Sequence, residues 1–299
     1  MTASAGRPEE APSADVTVVM PAMNRAHLIE RALESVRRQT VAPRRVVVVD
    51  DASDDGTAGV ARRAGAEVLE MPRRSGSGPA RNAGIDAADT EWIAFLDSDD
   101  EWLPHHLETV LHFAQGHVLA STAATSTSGR WLGSPSPTPQ PVTPRRVLVP
   151  SDLIVTSATV ARRDALEAVG RFRPLPRAQD MDAWIRVLEL GSGVVVGEAT
   201  VTYHEHEAQA VRDVGLMRSA FERILEDHAA KDWMDPSLRD GALARVVWDD
   251  LRAAQRASRW RDAAGCSWWL VRRPSALRAV VAVLAQRRRA RRRAARAAG

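Results

Sequence analysis

The run Glu91-Trp-Ile-Ala-Phe-Leu96 opens directly into Asp97-Ser98-Asp99-Asp100-Glu101, and this junction narrows the choice of folds more than any other stretch. An apolar run of that length reads as a buried strand. Open α/β sheets carry their ligands in the crevice beyond the C-terminal ends of such strands. Carboxylates crowded there repel one another unless a cation is shared among them. A hard divalent ion such as Mg²⁺ or Mn²⁺, its shell completed by diphosphate oxygens, does this. Alternate residues of an extended segment point the same way, so Asp97 and Asp99 are expected to face one ion while Ser98 turns aside. Taken alone, the motif equally fits an acidic turn capping a helix that starts near Pro104.

The preceding sequence repeats the pattern. Val16 to Met20 is a short strand stopped by Pro21. Asn24 stands before a helical pattern with Leu28, Ile29, Leu33 and Val36 on one face, where it is expected to cap. Val46 to Val49 is a second strand, closed by Asp50 and Asp51; a helix follows to about Ala64, and Ala66 to Met71 is a third strand. The loop 73–79 leads into a helix with Pro79 in its first turn, and that helix carries Arg81 and Asn82. Strands alternating with helices at this spacing predict an α/β fold with a mostly parallel sheet. Asn24, Asp50, Asp51, Asp97 and Asp99 then share one sheet edge. Singly, each fits a cap or turn role; together they fit a pocket for a nucleotide and a metal ion.

Downstream, a helix to about Gln115 and a strand near 117–123 precede a Ser/Thr/Pro-rich stretch, 121–143, read as a long loop. A strand over 153–160, a helix over 162–169, a helix through Met181, Trp184, Ile185 and Leu188, and strands over 194–196 and 199–203 follow. Beyond about Gln209 the patterns are helical: to Lys231, from Pro236 to Trp260, and from Arg261 to Ala285. The expected organisation is a flexible leader over 1–15, an α/β domain over 16–212, a helical extension over 213–285 and a basic tail over 286–299.

Charge and cysteine exclude several classes. The chain of 299 residues carries +3, but residues 271–299 hold ten arginines and no acid, leaving −7 (+3 less +10) for the rest. That body offers no basic face for nucleic acid. Cys266 is the one cysteine, so there is no intramolecular disulfide and no cysteine zinc site; it is expected to be half-buried near Trp268 and Trp269. No signal peptide and no apolar stretch long enough to span a membrane is present. The expected place is therefore the cytoplasm, with peripheral contact at the inner face of the membrane. Leu277, Val280, Val281 and Leu284 form an apolar stripe ahead of Arg287–Arg289 and Arg291–Arg293, which suits an anionic membrane surface. It also suits a terminal helix packed on the body with a solvated end. His105, His106, His112 and His117 lack spacing for a shared ion and are read as surface residues; His204 and Glu205 merely flank His206.

Six stretches in one order carry a resemblance: Val18-Val-Met-Pro-Ala-Met-Asn24-Arg, Val46-Val-Val-Val-Asp50-Asp-Ala-Ser-Asp-Asp-Gly56-Thr, Gly78-Pro-Ala-Arg81-Asn82-Ala-Gly84, Phe95-Leu-Asp97-Ser-Asp99-Asp-Glu-Trp102, Gly170-Arg-Phe172 and Gln179-Asp180-Met-Asp-Ala-Trp184. Over roughly 16–212 the chain resembles the family 2 inverting glycosyltransferases of the GT-A, Rossmann-like fold. The resemblance implies a donor that is a nucleotide-diphosphate sugar, a UDP-sugar foremost, and Mg²⁺ or Mn²⁺ as cofactor. It implies that Pro21, Ala22, Asn24, Asp50 and Asp51 hold the nucleoside. Arg81 would lie in the first helical turn near the diphosphate, and Asp97 with Ser98 at the sugar nucleotide. Asp99, with Asp97, would ligate the ion, Asp180 would be the general base, and His206 of Tyr203-x-x-His206 would approach the metal. Met23 stands where the family usually has an aromatic, and Gln179 where it commonly has Glu.

Two other readings bear weighing. A sugar-phosphate nucleotidyltransferase would want a Gly-rich first loop and a nearby lysine, whereas this chain has Pro21-Ala-Met-Asn24 and no lysine before Lys231. A non-catalytic sugar-nucleotide-binding module would not need Asp97, Asp99 and Asp180 together. Processive polysaccharide synthases carry membrane spans and a Gln-x-x-Arg-Trp motif; here Gln255 and Arg259-Trp260 are one residue too far apart. The acceptor hydroxyl, on a glycan or a lipid-linked sugar, leaves no signature in these motifs.

Overall fold

A computed structural model describes residues 13–134, 136, 138–148, 154–205, 215–278 and 281. The chain divides into two units. The first comprises Met1–Thr143, Ser151–Pro174 and Ala183–Glu205; the second comprises Pro144–Pro150, Leu175–Asp182 and His206–Gly299.

The first unit is built on a ten-stranded sheet. In chain order it has β1 (Ser13–Ala22), α1 (Ile29–Arg37), β2 (Ala42–Asp50), α2 (Thr57–Arg63), β3 (Glu67–Glu70), α3 (Ser77–Ala87) and β4 (Trp92–Phe95). It continues with β5 (Glu101–Trp102), α4 (His106–Ala114), β6 (Leu119–Ser126), β7 (Trp131–Leu132) and β8 (Gln140–Val142). A four-residue α5 (Pro144–Val147) belongs to the second unit, and β9 (Thr159–Arg162), α6 (Arg163–Ala168), the end of α7 (Gln179–Leu188) and β10 (Gly193–Tyr203) complete the first. The strand order is β3-β2-β1-β4-β9-β6-β10-β5, with β7 on β6 and β8 on β10.

The four strands β3, β2, β1 and β4 are all parallel, as the alternation of apolar runs and helices requires. Val16, Val18 and Met20 on one face of β1, and Val47 and Val49 of β2, are buried. Gly84 of α3 seats that helix on β1: a Cβ there would lie 2.4 Å from Val19 Cγ1. Past β4 the sheet is mixed, because β9 runs antiparallel to both β4 and β6. The rings of Phe95, Phe172 and Trp184 pack edge to face or tilted at 5.5–5.6 Å, fixing β4 and α7 to the turn after α6.

Several sequence expectations need correction. β1 begins at Ser13, three residues inside the stretch read as leader. The stretch 121–143 is not one loop: β6 extends to Ser126, and β7 and β8 add to the sheet. Small residues such as Ala123, Ala124 and Ser126 hid the strand, because they are buried without bulk. The strand expected over 153–160 is instead a 3₁₀ turn, Thr156–Ala158, followed by β9. His106 is not on the surface. It is fully buried, its Nδ1 is 2.7 Å from Thr200 Oγ1, and its ring lies 4.5 Å from that of Trp102.

The second unit contains α8 (Leu216–Asp227), α9 (Pro236–Arg256) and α10 (Trp260–Val271). Asp235 caps α9, its Oδ1 accepting from Leu238 N at 2.8 Å with Pro236 at the first helical position. Cys266 is buried, and its surroundings push the thiol pKa up. Among the described residues no helix is long and apolar enough to cross a membrane. The tail expected over 286–299 lies outside the described residues.

Candidate active site

Because β2, β1 and β4 are adjacent and parallel, the loops after Asp50, Ala22 and Phe95 leave the same sheet edge. These loops hold one another. Asn24, with φ 53°, does not cap α1, whose N-cap position is Leu28. Its Oδ1 accepts from Asp54 N at 3.0 Å, and its own N donates to Ser53 Oγ at 2.9 Å. Arg25 N donates to Thr57 Oγ1 and Ala26 N to Asp55 Oδ2. A short polar side chain in the left-handed region is well suited to this local bonding.

The two acids after β2 have different tasks. Asp50 accepts from Ser53 Oγ. Asp51, 4% exposed, accepts from Ser75 N at 2.7 Å and from Gly76 N at 2.8 Å, one with each oxygen. It thereby shapes the loop that enters α3. Pro21 and Ala22 end β1 beside Val49 and Asp50. Met23 is exposed beyond them.

The acidic segment does not continue β4 in an extended form. Asp100 N donates to Asp97 O at 3.0 Å, so residues 97–100 form a tight turn and the expected alternation of Asp97 and Asp99 on one strand face does not hold. Ser98 within it is buried. Arg81 Nη2 donates to Asp97 Oδ1 at 2.6 Å. Arg81 lies in the second turn of α3, not the first, because α3 starts at Ser77. Its guanidinium lies over the Phe172 ring at 5.6 Å. Neighbouring Asn82 makes a reciprocal pair with the Phe172 backbone, at 2.8 and 2.9 Å. Two motifs separated by ninety residues are thus one structural piece. Arg25 Nη2 stands 3.7 Å from Asp99 Oδ2, and Arg31 Nη2 donates to the Asp99 carbonyl at 2.8 Å.

Sequence reasoning missed the support beneath this turn. Ser157, in the 3₁₀ turn, accepts from Asp97 N at 3.1 Å through Oγ and donates to Asp100 Oδ2 at 2.6 Å. Its carbonyl accepts from Trp102 Nε1 at 2.6 Å. Asp100 Oδ1 accepts from His204 N at 3.0 Å. Burial, then the charges of Asp97 and Asp99, push the Asp100 carboxyl up to about 8 despite these donors. The end of β10 lies beside the acidic turn through the His204–Asp100 bond, and Tyr203 is pushed up to about 12 by burial and by the charges of Asp100, Asp99 and Asp97. His204 Nε2 is 2.7 Å from Glu101 Oε1; His206 lies outside the described residues. The sequence places Ser157 in an expected strand over 153–160, and nothing in that pattern marks its hydroxyl.

Asp180 is the second residue of α7 and belongs to the second unit; its Oδ1 accepts from Met181 N at 2.8 Å. Asp97 and Asp99 offer the hard oxygen donors that Mg²⁺ or Mn²⁺ takes. Among the described residues no three His, Cys, Asp or Glu side chains form a complete metal cage.

Comparison with known proteins agrees with this architecture. The family model for glycosyl transferase family 2 matches residues 17–170, just over half of the chain. A pre-mycofactocin glycosyltransferase of Mycobacterium tuberculosis is 30% identical over 236 residues, covering 72% of this chain and 47% of that protein. The GalNAc(5)-diNAcBac-PP-undecaprenol beta-1,3-glucosyltransferase of Campylobacter jejuni is 31% identical over 115 residues, 36% of this chain and 37% of that one. The chain spans about half the length, or less, of these curated relatives. Among solved structures, S. aureus TarS 1-349 in complex with UDP-GlcNAc superposes with a TM-score of 0.62 at 21% identity, covering 78% of this chain and 71% of that one. The mannosyltransferase PcManGT of Pyrobaculum calidifontis, in complex with GDP-Man and Mn²⁺, gives 0.57 at 20% identity over 92% and 90%. The parallel half-sheet, the cross-bonded loops at its edge and the family match all point one way: this chain belongs to glycosyl transferase family 2.

Proposed function

We propose that the chain transfers a sugar from a nucleotide-diphosphate sugar to an acceptor hydroxyl, with inversion at the anomeric carbon. The observation that carries this is the cross-bonded edge itself. Asn24, Asp50, Asp51 and Asp97 lie at the ends of adjacent parallel strands, and Arg81 reaches Asp97 from α3; an edge held together in this way suits a nucleoside and its phosphates. Solved structures of the same fold are in complex with UDP-GlcNAc or GDP-Man, which supports a donor of that class.

In this reading Pro21, Ala22, Asn24 and Asp50 contact the nucleoside, and Asp51 sets the 73–76 loop over it. Asp97 and Ser98 lie at the sugar nucleotide. Asp99 and Asp97 would hold Mg²⁺ or Mn²⁺, which when bound would supply positive charge to the diphosphate; the family resemblance would add His206, which lies outside the described residues. Arg81 adds its own charge to the leaving group. Asp180 accepts the proton of the acceptor O–H as that oxygen forms a bond to the anomeric carbon; the bond from that carbon to the diphosphate breaks, and nucleoside diphosphate leaves. One displacement from the opposite face inverts the centre, by the stereochemical logic of single-displacement glycosidases. The acceptor is a glycan or lipid-linked sugar; a relative whose name specifies a PP-undecaprenol acceptor supports the latter.

The test is incubation with UDP- and GDP-sugars and Mn²⁺. Slow release of nucleoside diphosphate supports transfer. Pyrophosphate release would instead mean nucleotidyl transfer, and binding without either product would mean a non-catalytic module.

A further inference from the structure

Helix α10 carries apolar side chains on two opposite faces. Ala263, Cys266, Trp269 and Leu270 are buried. On the other side Trp260, Trp268 and Val271 are 68%, 60% and 65% exposed. At 100° per residue these three, with exposed Ala264 between them, lie within one quadrant of the helix. Leu277 and Val281, further along the chain, are also exposed, at 42% and 58%. Two open indoles on twelve residues are costly in water, since each aromatic side chain has on the order of 150–250 Å² to bury.

The charges beside this strip are of one sign. Arg261 and Arg272 border it, and the Arg272 guanidinium stands 4.4 Å from the Trp268 ring centroid. Arg273 lies 4.3 Å from the Trp269 ring. The acid of α10, Asp262, faces away and lies 3.7 Å from Arg259. From residue 271 onward the sequence has ten arginines and no acid.

We propose that this face of α10 seats on an anionic lipid surface, with Trp260, Trp268 and Val271 entering the headgroup boundary and the arginines contacting lipid phosphates. Tryptophan next to arginine is the composition of the membrane–water interface. A polyanion such as nucleic acid would use the arginines but leave Val271, Leu277 and Val281 without a partner. The proposal adds the α10 face to Leu277 and Val281 of the stripe at 277–284 noted in the sequence, and it does not depend on which sugar, if any, the α/β unit transfers.

The experiment is co-sedimentation of the full chain with vesicles of phosphatidylcholine containing about one-third phosphatidylglycerol, and with phosphatidylcholine alone. Strong preference for the anionic vesicles is expected, largely lost in about 0.5 M salt. The Trp260→Ala/Trp268→Ala double variant, which removes exposed side chains and keeps the melting curve, is expected to bind about tenfold or more weakly. Arg261→Gln and Arg272→Gln are each expected to cost about fivefold. Wild-type affinity in the tryptophan variant, equal binding to neutral vesicles, or tighter binding to duplex DNA than to vesicles would each overturn the proposal.

Discussion

Arg81 reaches Asp97 from inside the protein, its Nη2 2.6 Å from Oδ1 while its side chain is 8% exposed against 34% for the aspartate. The cation is rooted in α3 and the Phe172 contact, and the anion is the partner left facing outward. Arg81→Met would leave Asp97 beside Asp99 and Asp100 with less counter-charge. The expected cost is ~1–3 kcal/mol of stability, reduced by the partial exposure of Asp97, together with at least about tenfold weaker donor binding. Arg81→Lys keeps the charge and loses the fork, and should fall between the two. Thermal melts and donor titration calorimetry read both quantities; a stability loss with unchanged donor affinity would mean that Arg81 is purely structural.

Asp180→Asn keeps size and helix position and removes the carboxylate proposed as the base. Turnover is expected to drop about 10²–10⁴-fold, with donor affinity within about twofold of wild type. Single-turnover transfer and donor binding are measured on the same preparation. Undiminished turnover would take the base role from Asp180.

Asn24 is held at φ 53° and bonded to the 53–54 backbone and side chain. Asn24→Ala loses the bond to Asp54 N and strains the backbone, an expected cost of ~1–2 kcal/mol. Asn24→Gly relieves the strain and still lacks the bond. Stability should therefore recover in the glycine variant, while donor affinity stays low in both. Recovery of donor affinity along with stability would show that only the backbone conformation matters.

His106 ties acid stability to the interior. Burial, then the nearby His105, holds its imidazole down to about 3 from an ordinary 6.5. The unfolded chain takes up a proton below about 6.5 that the folded chain refuses until about pH 3. Stability contributed by the neutral ring is thus full above 6.5 and falls across that window, by at most ~1.4 kcal/mol per pH unit. His106→Gln should flatten this part of the profile. Urea titrations of both proteins from pH 7 to about pH 4 are compared by slope; parallel slopes would mean that His106 titrates as an ordinary histidine.

The half of the fold that was legible in the sequence is the half made of bulky strands. Val46 to Val49 and Trp92 to Phe95 announce themselves by hydrophobicity, and the loops after them by acids, so the parallel half-sheet and Asp50, Asp51, Asp97 and Asp99 were placed on one edge without coordinates. β6 was only partly visible, because Ala, Ser and Thr carry no periodic signal. His106 was misread since one polar residue on an otherwise apolar helix face says nothing about depth. Asn24 was assigned the commonest task of an asparagine before a helix; its actual bonds cross to another loop, thirty residues on. Ser157 was invisible, since its importance lies wholly in what it bridges.

The two strands that end the main path of the large sheet are short and ionic. At one end β3 is four residues, with Glu67 bound to Arg45 and Glu70 to Arg62. At the other β5 is two residues, and Glu101 is engaged by Arg31 and His204. A neighbouring chain that tried to continue the hydrogen-bond ladder would find little backbone to grip and charges to strip of their partners. Self-association through strand addition is thereby disfavoured at β3 and β5.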